Sequence, residues 1–195
     1  MYWLLVFLFS TAFAKPDIRI AVATNEAVQG TAKELVCSSI SEELSICFRY
    51  FTDGKLRYAE KKDLLRWGVS SGELHSEIKK ESLQRVNAAR YTFHEIPDMK
   101  GMGYWVSDAF DGWDVAALLH PRRLLALLGK NALVGIPEDG IFVFWEKGNP
   151  VLNKIMAVGI KEMYTNSKFP VSPLVYHWHE GQWQAWGEAV PVSEE

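Results

Sequence analysis

Three short turn signatures do most to limit what this 195-residue chain can become. Asp53-Gly54 separates apolar runs at 45–51 and 55–59, Pro137-Glu138-Asp139-Gly140 separates 132–136 from 141–145, and Glu180-Gly181 separates 174–179 from 182–186. Glycine accepts a positive φ at little cost, so the runs flanking such turns fold back as neighbouring antiparallel strands. A further strand is expected over 18–23, with the sequence I-R-I-A-V-A. Two more are expected over 90–96 and 103–107, where Pro97 and Gly101 break the chain between them.

Helix signals alternate with these hairpins. Ser70 and Glu73 have the spacing at which a hydroxyl and a carboxylate satisfy each other's backbone donors, so a helix is expected from there to about Val86. Asn149-Pro150 opens another, with Asn as cap and Pro in the first helical position; Leu152, Ile155, Met156 and Met163 then recur at helical spacing. Shorter helices are expected over 63–67, 115–119 and 121–128, the last closed by Gly129. Residues 31–43 also read as helix, with Leu35, Val36 and Ile40 on one side. Hairpins mixed with helices predict an α+β fold, an antiparallel or mixed sheet of hairpins covered by helices. No repeat, linker or low-complexity tract divides residues 15–195, which are expected to form a single α+β domain.

The first fourteen residues stand apart. They carry no charged side chain, and residues 2–9 are an almost unbroken apolar run ending in Ala12-Phe13-Ala14 before the polar chain begins at Lys15. Small residues at −1 and −3 after an apolar stretch are what a signal peptidase accepts, so 1–14 read as a secretory leader. The run falls short of the about 20 apolar residues that span a bilayer, and no later run is long enough, so no membrane span is expected after cleavage. The expected location is periplasmic or extracellular. In an oxidising compartment the only two cysteines, Cys37 and Cys47, favour a disulfide. Two buried thiols are the alternative, because spacing alone does not bring the Cβ atoms together. A net charge of −3 with scattered Lys and Arg leaves no basic stripe for phosphates, which argues against a nucleic-acid partner.

Several stretches resemble one family of uncharacterised bacterial proteins, the YtpQ-like domain of unknown function. The matching pieces are F-T-D-G-K-L-R-Y (51–58), D-L-L-R-W-G-V-S-S-G-E-L-H (63–75) and Y-W-V-S-D-A-F-D-G-W-D-V-A-A-L-L (104–119). They continue with A-L-V-G-I-P-E-D-G-I-F-V (132–143) and F-P-V-S-P-L-V-Y-H-W-H-E-G-Q-W (169–183), so that order and spacing fit over roughly 46–186. The resemblance implies a shared α+β fold and carries no established reaction. This chain departs from the pattern in having a leader and a short first segment.

The densest group of acidic and aromatic residues is Asp108, Asp111, Trp113 and Asp114. It follows an expected strand and precedes an expected helix, where ligand contacts often collect. One reading makes these residues a ligand site. A second makes Asp111 or Asp114 a helix cap, with Gly112 turning the chain and Trp113 packing over the junction. Three carboxylates could also hold a hard cation, although the alternating acids of a calcium loop are missing. His177 and His179 share a strand face around Trp178, but no third zinc ligand is identifiable, so neither metal nor cofactor is expected. A nucleophile at Ser107 or Cys47 would need a histidine brought to it by the fold, and there is no G-x-S-x-G elbow. The aromatic ending, Tyr176, Trp178, Trp183 and Trp186, reads as core packing or as a platform for a ligand. Together these features predict an exported, non-enzymatic binding or interaction domain whose partner is an envelope protein or a small ligand. The alternative is a hydrolase using the carboxylates of 108–114.

Overall fold

The computed structural model describes residues 15–31, 34–87, 91–107, 110–128 and 131–186, so residues 1–14, expected as a leader, and Asp108 and Gly129 lie outside the described residues. Two antiparallel sheets organise the chain. In the first, β1 (Ile18–Thr24) leads through a short α1 (Asn25–Gln29) to β2 (Cys37–Ser39), then β3 (Leu44–Thr52) and β4 (Lys55–Tyr58). β3 is the central strand. One edge pairs along all of β1, from Ile18 opposite Tyr50 to Thr24 opposite Leu44. The other edge is divided between β2, opposite residues 45–47, and β4, opposite residues 49–52. Asp53 and Gly54 have φ of 50° and 70°, the two positive values that a two-residue hairpin turn requires.

The helix expected over 31–43 does not form. Helical geometry falls earlier, at α1, where the Thr24 hydroxyl accepts from the Ala27 amide. The segment that follows is extended: the Val36 amide donates to Ala59 O at 2.8 Å, and Cys37 lies directly opposite Cys47. Cys37 and Cys47 are joined as a disulfide across this ladder. Cross-strand pairing and the covalent link outweigh a local pattern that suits either conformation.

After α2 (Lys61–Trp67) and α3 (Ser71–Asn87) come β5 (Thr92–Glu95) and β6 (Gly103–Ser107), then a 3-10 helix (Asp114–Leu119) and α4 (Pro121–Leu128). The chain ends with β7 (Ala132–Gly135), β8 (Phe142–Glu146), α5 (Pro150–Asn166), β9 (Val175–His179) and β10 (Gln182–Ala185). The second sheet has six strands in the order β10-β9-β7-β8-β6-β5, every pair antiparallel. The α+β expectation therefore holds, with two sheets rather than one. Both expected caps are present: Ser70 and Glu73 bond reciprocally at 2.8 and 3.2 Å, and Asn149 Oδ1 accepts from the Val151 and Leu152 amides.

The central strands of the six-stranded sheet are apolar on both faces. Leu133, Val143, Trp145 and Val175 pack under α5, whereas Ala132, Val134, Phe142, Phe144 and Tyr176 face the first sheet, α3 and the 3-10 helix. Burial on both sides hides the period-two alternation, which is why β7 and β8 read as continuous apolar runs. α5 lies close against Gly135, where an added Cβ would overlap Ile160. Of the four apolar positions expected on α5, Leu152 and Met156 are buried while Ile155 and Met163 are exposed. The helix touches the sheet along a narrow stripe.

Candidate functional site

Trp183 joins the two halves of the fold. It is buried on β10, its amide donates to Ile40 O at 3.3 Å, and its indole Nε1 donates to Leu118 O at 3.0 Å. One residue thus fixes the β9–β10 hairpin to the turn after β2 through its backbone and to the end of the 3-10 helix through its side chain. Between these elements and α3 lies a groove of about 960 Å3.

α3 supplies one wall. Leu74, Ile78, Ser82 and Val86 recur every four residues and are buried. One residue further round, His75, Lys79 and Leu83 form an adjoining stripe along the groove. A second wall, meeting α3 at His120, is the junction between the 3-10 helix and α4, from Leu118 through His120 to Arg122 and Arg123. Ser38, Ile40 and Glu42, together with Trp178 and the turn at Gly181, complete the lining. Trp178 is half-buried, its ring edge-on to Trp183 at 5.4 Å between centroids.

Two serine–histidine pairs border this space, and they differ in kind. His120 Nε2 lies 3.0 Å from Lys79 O and 2.8 Å from Ser82 Oγ, while the Ser82 hydroxyl donates to the same carbonyl at 2.9 Å. A carbonyl only accepts, so Nε2 carries the proton and this nitrogen is not a base toward Ser82. Burial lowers the His120 pKa, with the charges of Lys79 and Arg123 acting in the same direction and the Lys79 carbonyl opposing. His75 Nδ1 is 3.2 Å from Ser38 Oγ, and no carboxylate hydrogen-bonds to its ring among the described residues. In sequence His75 and His120 are isolated and Lys79, Arg122 and Arg123 unremarkable. The available signal was the 75–79–83 stripe beside the buried 74–78–82–86 stripe.

The acidic segment occupies a different place. Asp111, Asp114 and Gly112 line a smaller cleft of about 300 Å3 with Arg19, Arg49 and Asp139. Here the segment is fastened to the outer edge of β1: the Ile20 amide donates to Gly112 O at 3.1 Å, and Arg19 Nη1 donates to Asp111 O at 2.6 Å. Gly112 has φ of 78°, and a Cβ there would press on Arg19 at 2.9 Å. The Asp111 carboxylate accepts from the Trp113 amide at 2.8 Å, closing the turn just before the 3-10 helix. Asp114 is the first residue of that helix, is buried, and accepts from Ser107 Oγ at 3.0 Å. Neither carboxylate caps at the Trp113 position. Trp113 is itself buried, with the Arg85 guanidinium 5.4 Å from its ring centre. Arg49 forks onto both oxygens of Asp139 at 2.5 and 3.0 Å, which ties β3 to the turn before β8.

Other sequence candidates are dispersed. Ser107 serves Asp114, and Cys47 is held in the disulfide. His177 and His179 stack at 5.5 Å on the far face of β9, and no group of three His, Cys, Asp or Glu is arranged to hold a metal among the described residues. Burial lowers the His177 pKa, as do Lys147 and His179 nearby. Of the aromatic ending, Tyr176 and Trp183 are core, Trp178 borders the groove, and Trp186 lies under the Lys147 ammonium at 5.5 Å. No helix among the described residues is long and apolar enough to cross a membrane. No family model, curated protein or solved structure matches this chain.

Proposed function

We propose that the protein is an exported, non-enzymatic binding domain of the YtpQ-like kind, with its ligand seat in the groove between α3, the start of α4 and the β9–β10 hairpin. One observation carries this reading. The groove has about 960 Å3 of space, and the charged ends of Lys79, Arg122 and Arg123 around it have no ion-pair or hydrogen-bond partner among the described residues. Its size is that of small-molecule sites, about 300–1,000 Å3, which favours a small ligand over an envelope protein. Export draws support from the leader signature and from a disulfide, a bond that persists in oxidising compartments.

Binding is favoured over catalysis because neither serine–histidine pair is arranged as nucleophile and base. The His120 nitrogen facing Ser82 holds a proton, and His75 lacks an orienting acid among the described residues. Hydrolysis by the carboxylates of 108–114 has one observation in its favour, the cleft they share with Asp139. Against it, Asp111 and Asp139 are already engaged in holding the chain. Titrating 15N-labelled protein with a mixture of small-molecule fragments tests the reading. Amide shifts are expected at His75, Lys79 and Trp178. Shifts confined to 110–114, or none at the groove, overturn it.

A further inference from the structure

We infer that the groove takes a small organic anion: a phosphate or carboxylate head held by Lys79, Arg122 and Arg123, and a flat apolar body resting against Trp178. This rests on the reading of the groove as the ligand seat and adds the ligand's chemistry.

The chain as a whole is acidic, at −3, yet Lys79, Arg122 and Arg123 line this groove with a single carboxylate, Glu42, among its lining residues. Elsewhere several cations are matched, Arg49 with Asp139, Arg19 with Asp17, Arg85 with Glu81 and Lys15 with Glu77, while exposed ones such as Lys80 and Lys161 are unmatched among the described residues but do not line this groove. Lys79, Arg122 and Arg123 border a concavity and have no such match among the described residues. They come from two elements that meet at the groove, α3 and the start of α4, where His120 contacts the Lys79 carbonyl, so one anion could be reached from both elements. Two guanidiniums and an ammonium are the donor set that grips a phosphate or carboxylate, because each charged hydrogen bond is stronger than a neutral one.

The second part is shape. A bare inorganic anion would leave most of the volume to water. Ile40, Leu83, Leu119 and Trp178 give the lining an apolar part, beside polar residues such as Asn25, Ser39 and Gln182. An aromatic face with aliphatic neighbours suits a planar or ring-shaped body. His75 and His120 stand beside the cations, and His120 has an unprotonated Nδ1 when neutral. That nitrogen offers an acceptor to a ligand hydroxyl or amine.

The test uses three probes with one ring system: 2-naphthyl phosphate, 2-naphthoate and neutral 2-naphthol. Affinity is measured by calorimetry on residues 15–195 with the disulfide intact, and location by amide shifts. Both anions, or one of them, should bind at the groove about tenfold more tightly than naphthol, a margin set by one good charged contact. Which anion is preferred separates a phosphate ester from a carboxylate as the natural head group. The margin should shrink several-fold at high salt. It should vanish in the K79Q/R122Q/R123Q variant, whose exposed or partly exposed positions leave the fold intact. Equal binding of all three probes at the groove overturns the anion inference and leaves the groove reading standing. Anion binding mapped elsewhere, or no groove binding by any probe, overturns both. Release of fluorescent 2-naphthol from the phosphate overturns the non-enzymatic reading while leaving the anion inference supported.

Discussion

The groove beside α3 and the cleft beside β1 are built from the same residue types and use them in opposite ways. In the cleft every cation is engaged. Arg19 bonds Asp17 and the Asp111 carbonyl, and Arg49 forks onto Asp139, so its charges join the two sheets. In the groove Lys79, Arg122 and Arg123 join nothing among the described residues, and the walls are held instead by Trp183, Ser82 and the backbone. A cleft rich in charge is therefore no guide to a ligand site by itself. What distinguishes the two is whether the charges are already used by the fold.

That contrast breaks down if the groove depends on its charges for stability, or if the cleft does not. The largest effect should come from a covalent element outside both. Cys37 and Cys47 close a separation of 10 residues and pin β2, which carries Ser38 into the groove. Replacing both with Ala should lower stability by about 2–3 kcal/mol in denaturant titration. Freshly isolated protein should show no free thiol when denatured without reductant. Two titratable thiols would remove both the bridge and the support it lends to export.

The next effect is the comparison itself. D139N leaves the mostly buried Arg49 guanidinium without its counter-charge, and should cost about 1–2 kcal/mol, less than a fully buried pair because Asp139 is partly exposed. The triple groove variant should change stability by no more than about 0.5 kcal/mol, the range of surface substitutions. Equal losses in the two variants would mean that the groove cations serve the fold as well.

The smallest effect is a titration. The folded His120 pKa lies below its unfolded value near 6.5, so the unfolded chain takes up the proton first as pH falls. The stability contributed by neutral His120 is complete above that value and is lost as pH drops from about 6.5 toward the folded pKa. His177 acts in the same direction. Stability should therefore fall on acidification through this window, with a shallower slope in H120N. The groups facing His120 are Lys79 and Arg123, with His75, Arg122 and Glu42 further along the groove. Lys79→Gln should raise the His120 pKa, read from its ring resonances. A pKa that stays put would show that the Lys79 charge does not reach His120, and would weaken the picture of an unscreened cation cluster.

Much of the fold was legible locally. The turns at 53–54 and 180–181, the Ser70–Glu73 box and the Asn149-Pro150 start depend on residues within four positions of one another, and all appear where expected. The candidate site was much less legible. The acids at 111 and 114 drew notice because they are clustered in sequence, yet their carboxylates meet Ser107 and a backbone amide, and Arg19 takes the Asp111 main-chain carbonyl. The groove drew none because its members stand 37 to 41 positions apart: Ser38 with His75, and Lys79 with His120.

The sequence by itself determined the elements whose causes are local: where glycine permits a positive φ, where a side chain can cap a helix, and which runs are apolar enough for a core. It also supplied the pair of cysteines. Only the tertiary structure decided that residues 37–39 are strand rather than helix, that the cysteines meet across a ladder, and that α5 rests on a narrow stripe. It alone decided which charges are spent. Whether a lysine or arginine has a partner depends on which surfaces the sheets and helices bring within hydrogen-bond reach. That distance follows from packing the whole chain at once, so no window of sequence contains it.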